Sequence, residues 1–237
     1  MDAVGSDKGL MYMKAVVFDF DGVIVDTETP ELQSYEEMFA QYNIPFPIET
    51  WIATVGSNLS FDVYEYLNTA VSEQGTDGPL DVESLRAQRR RRHWELVLEE
   101  SLCEGVLETL EQARALGLKI ALASSSKSDW VLPLLERHNL KSFFEAIVTA
   151  DLVQRVKPDP ELYTRALSEI EVEPHAAVAI EDSVNGLKAA KAAGMECVVV
   201  PNPITSRLVW PAELLYLRLQ SLKDLSLSDF TAMTISR

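Results

Sequence analysis

Short, β-branched, apolar runs recur along the chain at KAVVFDF from Lys14, LKIALA at 118–123, AAVAI at 176–180 and MECVVV at 195–200, with a weaker run, FFEAIVTA, at 143–150. Runs without polar alternation suit strands covered on both faces, although periodicity alone does not separate so short a run from a buried helix segment. Helical patterns lie between them. The order is clearest after Pro174: a strand, Asp182 and Ser183 as candidate N-caps, an alanine-rich helix, Gly194 as its stop, then another strand. Asp159 can likewise cap a helix that has Pro160 at its first position, and Ser126 with Asp129 has the form of a capping box. Alternation of this kind predicts an α/β fold, a doubly wound, Rossmann-like parallel sheet joined by right-handed crossovers.

Residues 28–101 interrupt the alternation. They hold helical patterns at 28–42, 57–73 and 81–100 and no convincing strand, so they read as an inserted all-helical domain with the loop EQGTDGPLD (73–81) inside it. Gly105 marks the return to the sheet. The expected organisation is a tail at 1–13, a sheet-bearing core built from 14–27 and 102–237, and a helical cap at 28–101.

Composition adds bounds rather than detail. At 237 residues, 47% hydrophobic and 24% charged, the chain has ordinary globular character and enough length for a sizeable core. Its net charge of −16 repels nucleic acid and anionic membrane surfaces, so neither is an expected partner. The same field repels a phosphorylated ligand, so a phosphate site here must bring its own positive charge. Cys103 and Cys197 suggest neither a disulfide framework nor a metal knuckle. The first residues lack the form of a signal peptide, and no apolar run is long enough to span a bilayer. A cytoplasmic monomer is the default expectation.

In an open parallel sheet, ligands bind beyond the carboxyl ends of the strands. The polar residues found there are Asp19-Phe20-Asp21-Gly22, Ser124-Ser125-Ser126-Lys127, Val156-Lys157-Pro158 and Glu181-Asp182. Carboxylates, hydroxyls and a lysine thus converge on one edge. Two unit charges ~4 Å apart repel by ~4 kcal/mol at an effective dielectric of ~20, and a divalent cation removes that cost. Oxygen ligands without nearby His or Cys favour Mg²⁺, the donor set of a phosphoryl-transfer site.

DFDGVIVDTET, ALASSS, VKPDP and AIEDSVNG, in that order and each at a predicted strand end, resemble the four motifs of the haloacid dehalogenase superfamily. The resemblance covers about Lys14 to Pro201, and the insertion resembles the helical cap of the phosphoglycolate phosphatase and β-phosphoglucomutase-like branch. It implies a Mg²⁺-dependent phosphatase acting on a small phosphorylated metabolite, with sugar phosphates, phosphoglycolate and nucleoside monophosphates all open. Asp19 would attack phosphorus, and Asp21 would protonate the leaving alcohol and then activate water. Ser124 would hold a phosphoryl oxygen, with Lys157 offsetting negative charge and Ser125 and Lys127 as further substrate contacts. Asp19, Asp21 through its carbonyl, and Asp182 would hold Mg²⁺, with Glu181 as a ligand or an outer partner. DGVIVDTET resembles the segment that couples core to cap.

Plainer readings stand beside these. Asp182 could be only an N-cap, Ser125 and Ser126 backbone-bonding hydroxyls, Lys127 a solvated helix start, and Lys157 a surface loop lysine. Arg89 to Arg92 cover most of a helix circumference and read mainly as solvated surface, with one arginine able to face a substrate. His93, His138 and His175 show no metal spacing. The rival activity is a sugar phosphomutase. It is disfavoured because Glu31 and Leu59 occupy the positions where the compared mutases carry a histidine and an arginine.

Overall fold

The computed structural model describes residues 13–55, 61–75, 79–214 and 217–231. Its sheet contains β1 (Ala15–Phe18), β2 (Lys119–Ala123), β3 (Ala146–Val148), β4 (Ala177–Glu181), β5 (Glu196–Val199) and β6 (Leu217–Arg218). The order is β3-β2-β1-β4-β5-β6, and every pairing is parallel. Phe18 is in register with Leu122 on one side and Ile180 on the other, so β1 lies at the centre. The chain runs outward from β1 to β3 and then returns to the opposite side as β4. The gap between β1 and β4 is therefore the switch point at which such sheets bind ligands.

The expected strands are observed because each run is apolar on both faces. Val16, Phe18, Ile120 and Leu122 pack into one layer, and Val17, Ala121, Ala179 and Val199 into the other. Burying one such Val, Leu or Phe side chain contributes about 1.5–3 kcal/mol. The covering helices are α5 (Val106–Ala115), α6 (Ser128–Arg137), α7 (Glu161–Glu169), α8 (Val184–Ala192) and α9 (Leu227–Thr231), with α1–α4 preceding them in the chain. The two-residue strand β6 was not anticipated, since so short a run carries no period.

Local capping differs from the sequence reading in three places. The helix after β2 starts at Ser128, not Ser126: Ser126 turns its hydroxyl to Asp21, and Asp151 accepts from the Ser128 N–H instead. Asp159 does accept from the Glu161 N–H, but Pro160 is the cap residue rather than the first helical one. Ser183, not Asp182, caps α8 by accepting from the Gly186 N–H. That leaves the Asp182 carboxylate available for other work.

The helical unit comprises α1 (Glu28–Ala40), α2 (Ile48–Ile52), α3 (Val63–Glu73) and α4 (Val82–Val97). Asp62 caps α3 by accepting from the Tyr64 and Glu65 N–H groups, and residues 57–60 of the predicted 57–73 helix lie outside the described residues. The single-turn α2 was not anticipated. Tyr35, Phe39, Trp51, Tyr64 and Leu67 form a core separate from the sheet layers, and Ile204, from the segment after β5, is buried with them. Among the described residues no helix is long and apolar enough to cross a membrane.

Candidate active site

Asp19 follows β1 directly, and its backbone N–H donates to the Ile180 carbonyl at 2.9 Å, which seats it on the β1–β4 gap. The Lys157 ammonium reaches Asp19 Oδ1 at 2.6 Å and Glu181 Oε1 at 2.8 Å, and all three side chains are buried. Lys157 is therefore not a surface loop lysine. Tyr163 donates its hydroxyl to Glu181 Oε1 at 2.5 Å, while the Asp182 N–H and the Ser183 hydroxyl each approach Oε2 at 3.3 Å. Gly186 leaves room for this carboxylate, since a Cβ there would fall 1.9 Å from it.

One oxygen each from Asp19, Glu181 and Asp182 lies within 4.8 Å of the others. Burial, then Glu181, pushes the Asp19 carboxyl well above the ordinary range against the pull of Lys157. Burial, then Glu28 and Asp19, does the same to Asp182. Burial alone would lower the Lys157 ammonium, but Asp19 and Glu181 outweigh it and hold it protonated. One ammonium faces three carboxylates here. Hard oxygen donors with surplus negative charge fit a divalent cation such as Mg²⁺. Glu181 already accepts from Lys157, Tyr163, the Asp182 N–H and Ser183, whereas Asp19 and Asp182 meet fewer competing donors and could each offer such an ion an oxygen.

Asp21 follows Asp19 by two residues. Its carboxylate accepts from Thr27 Oγ1 at 2.9 Å, Ser126 Oγ at 2.6 Å and Trp130 Nε1 at 2.9 Å, with Ser124 Oγ at 3.5 Å. Three firm donors fix its rotamer. Ser124 is fully buried and accepts from the Ser126 N–H at 2.9 Å. Ser125 and Lys127 are exposed and, among the described residues, do not join this network.

Asp21 opens on a cleft of about 560 Å³ between the sheet edge and the helical unit, lined also by Glu28, Glu31, Arg89, His93 and Trp130. That size suits a small molecule. Arg89 and Arg90 of the arginine run line the cleft, and Arg89 pairs with Glu31 at 3.1 Å and lies 4.5 Å from the Tyr35 ring centre. Arg92 instead grips Glu37 at 2.6 and 3.0 Å on the outer face. His93 Nε2 lies 2.8 Å from the Thr27 carbonyl, and its ring packs on Trp130 at 5.1 Å. Burial lowers the His93 pKa, which favours the neutral ring. Glu31 thus stands in the cleft, whereas Leu59 lies outside the described residues.

The sequence reading did not single out Trp130, Tyr163, Thr27 or Asn202. One signal was available for the first two. Each is the third residue of the helix that follows a strand, and first-turn residues there face the same sheet edge as the motifs. Tyr163→Phe is expected to lower stability by about 1–3 kcal/mol, because the Glu181 carboxylate loses a buried donor. A reduced urea midpoint at constant m-value is the measurement.

Comparison with known proteins places the chain in one family. Residues 16–200 match the family described as haloacid dehalogenase-like hydrolase. A Bacillus subtilis (strain 168) protein named "Putative phosphatase YhcW" is 42% identical over 198 residues, covering 84% of this chain and 88% of that protein. The "Phosphorylated carbohydrates phosphatase" of Thermotoga maritima is 33% identical over 194 residues, covering 78% and 83%. A crystal structure described as a "putative beta-phosphoglucomutase" from Thermotoga maritima superposes with a TM-score of 0.71 at 28% identity, covering 90% of this chain and 96% of that one.

Proposed function

Because the chain belongs to the haloacid dehalogenase-like hydrolase family, we propose that it is a Mg²⁺-dependent phosphatase that releases phosphate from a small sugar-type phosphomonoester through an aspartyl-phosphate. The observation that carries this reading is the buried Asp19–Lys157 pair at 2.6 Å beside Asp21, whose carboxylate faces the cleft. Asp19 Oδ attacks phosphorus while Asp21 gives its proton to the departing alcohol. Asp21 then takes a proton from water, which attacks the aspartyl-phosphate and frees Asp19 and inorganic phosphate. Ser124 and Lys157 hold the phosphoryl oxygens. Asp19, Asp182 and the Asp21 carbonyl would bind Mg²⁺, which offsets charge on the phosphoryl group, with Glu181 behind them.

The substrate's remainder occupies the cleft. There Glu31 accepts and Arg89 donates hydrogen bonds to hydroxyls, and Trp130 supplies an apolar wall. The name of the Thermotoga maritima relative points to phosphorylated carbohydrates as well. Residues 28–101 act as the cap that closes over this substrate, on a chain that works as a cytoplasmic monomer. A mutase is the second reading, favoured by the name of the superposed structure. Glu31 in the cleft counts against it, because an acid there repels the distal phosphate of a bisphosphate.

A panel of phosphomonoesters assayed with and without Mg²⁺ tests the proposal. The expected result is Mg²⁺-dependent phosphate release from sugar monophosphates with no bisphosphate primer. Conversion of β-glucose 1-phosphate to glucose 6-phosphate faster than phosphate appears would favour the mutase instead.

A further inference from the structure

The segment after β5 ties the sheet edge to the helical unit. Asn202 Oδ1 accepts from the backbone N–H groups of Ile204 at 2.8 Å and Thr205 at 2.9 Å. Those bonds occupy the carbonyl, so the amide cannot flip and its NH₂ must face the other way. There it donates to Asp182 Oδ2 at 2.7 Å and to Glu28 Oε2 at 2.8 Å. Asp182 belongs to the sheet edge, and Glu28 is the first residue of α1. Gly22 keeps the space open, because a Cβ at that position would come 2.1 Å from Asp182 Oδ2 and 2.7 Å from Asn202 Nδ2. Two residues beyond Asn202, Ile204 is 4% exposed and buried in the core of the helical unit. Arg207 then pairs with Glu49, next to Trp51 of the same unit.

We propose that Asn202 is a positioning residue that links docking of the helical unit to the orientation of the Asp182 carboxylate. Its NH₂ is a neutral double donor shared by two carboxylates on different structural units. With it in place, each acid has a partner and the gap closes. Without it, the Asp182 and Glu28 oxygens face one another with no donor between them, so one swings away. Docking and carboxylate orientation therefore bias each other by the same free energy in both directions. The role given to Asp182 rests on the phosphatase reading; the docking contact does not.

The test uses the whole chain with donor and acceptor dyes on cysteines replacing the exposed Glu73 of α3 and Glu111 of α5, in a Cys103→Ser background. Energy transfer then reports docking without substrate. Asn202→Asp keeps the oxygen that accepts from Ile204 and Thr205 but sets a third oxygen against Asp182 and Glu28. The metal-free Asp variant is expected to show a lower docked fraction than wild type, and lower than Asn202→Ala. Mg²⁺ alone should raise the docked fraction of the wild type, and that response should shrink about fivefold or more in Asn202→Ala. If Asn202 merely shapes its own turn, Asn202→Asp will dock like the wild type, and that result overturns the proposal. A Mg²⁺ response that survives undiminished in Asn202→Ala also overturns it. Failure of the phosphatase reading shows separately, as an absence of phosphate release by the unlabelled wild type.

Discussion

Asp19→Asn is expected to reduce kcat by ~10⁴-fold or more while leaving the fold intact. The amide cannot attack phosphorus, and it weakens the set of oxygens that would hold Mg²⁺. The effect on stability has the opposite sign. Burial and Glu181 hold the Asp19 carboxyl well above its ordinary value of 3.8, so its ionised form disfavours the folded state at neutral pH. Without divalent metal, the Asn variant should therefore be at least as stable as the wild type at pH 7. Any advantage should fade as pH falls toward 3.8, where the unfolded chain also takes up the proton. Urea unfolding at neutral and acidic pH measures this, and single-turnover assays measure the chemistry. A variant that still forms a phosphoenzyme would move the nucleophile to another residue.

Lys157→Met is expected to damage both properties. The ammonium is the group that reaches both Asp19 and Glu181, at 2.6 and 2.8 Å, inside a buried cluster. Removing one partner of a buried ion pair leaves uncompensated charge and costs about 3–5 kcal/mol. Turnover should fall by a further ~10²–10³-fold, the usual loss when one group that stabilises transition-state charge is removed. The pH dependence follows from the direction of the shifts. Lys157 is held above its ordinary 10.5, so its contribution is complete below 10.5 and is lost only as pH rises through the higher folded value. The variant should thus be weakest, relative to wild type, across the neutral range. It should recover toward acid, where Asp19 takes up a proton. Unfolding midpoints from pH 4 to pH 9 would reveal that trend, and a flat difference across the range would show that Lys157 acts through packing alone.

Much of this architecture is legible in one dimension. Ala15–Phe18, Lys119–Ala123, Ala177–Glu181 and Glu196–Val199 are apolar on both faces, and only a strand sandwiched between helix layers buries such a run. Polar residues that break off at the ends of these runs must gather on one sheet edge, because parallel strands share a direction. Asp19, Asp21, Ser124, Lys157, Glu181 and Asp182 are drawn together for that reason, whatever lies between them in the chain.

Partner choice within the site is not legible in that way. Trp130 and Ser126 donate to Asp21, Tyr163 donates to Glu181, and Arg89 and Arg90 rather than Arg91 and Arg92 line the cleft. Each depends on a helix rotation or a loop path set by packing elsewhere in the fold. Asn202 shows the difference most clearly, lying 20 residues from Asp182 and 174 from Glu28 in sequence yet bonded to both. The sequence by itself determined the strands, their common direction and the edge where charged groups meet, because those follow from local burial patterns. Only the tertiary structure decided which donor meets which carboxylate and how the helical unit is fastened to the sheet, because such contacts depend on the relative placement of elements that no local pattern encodes.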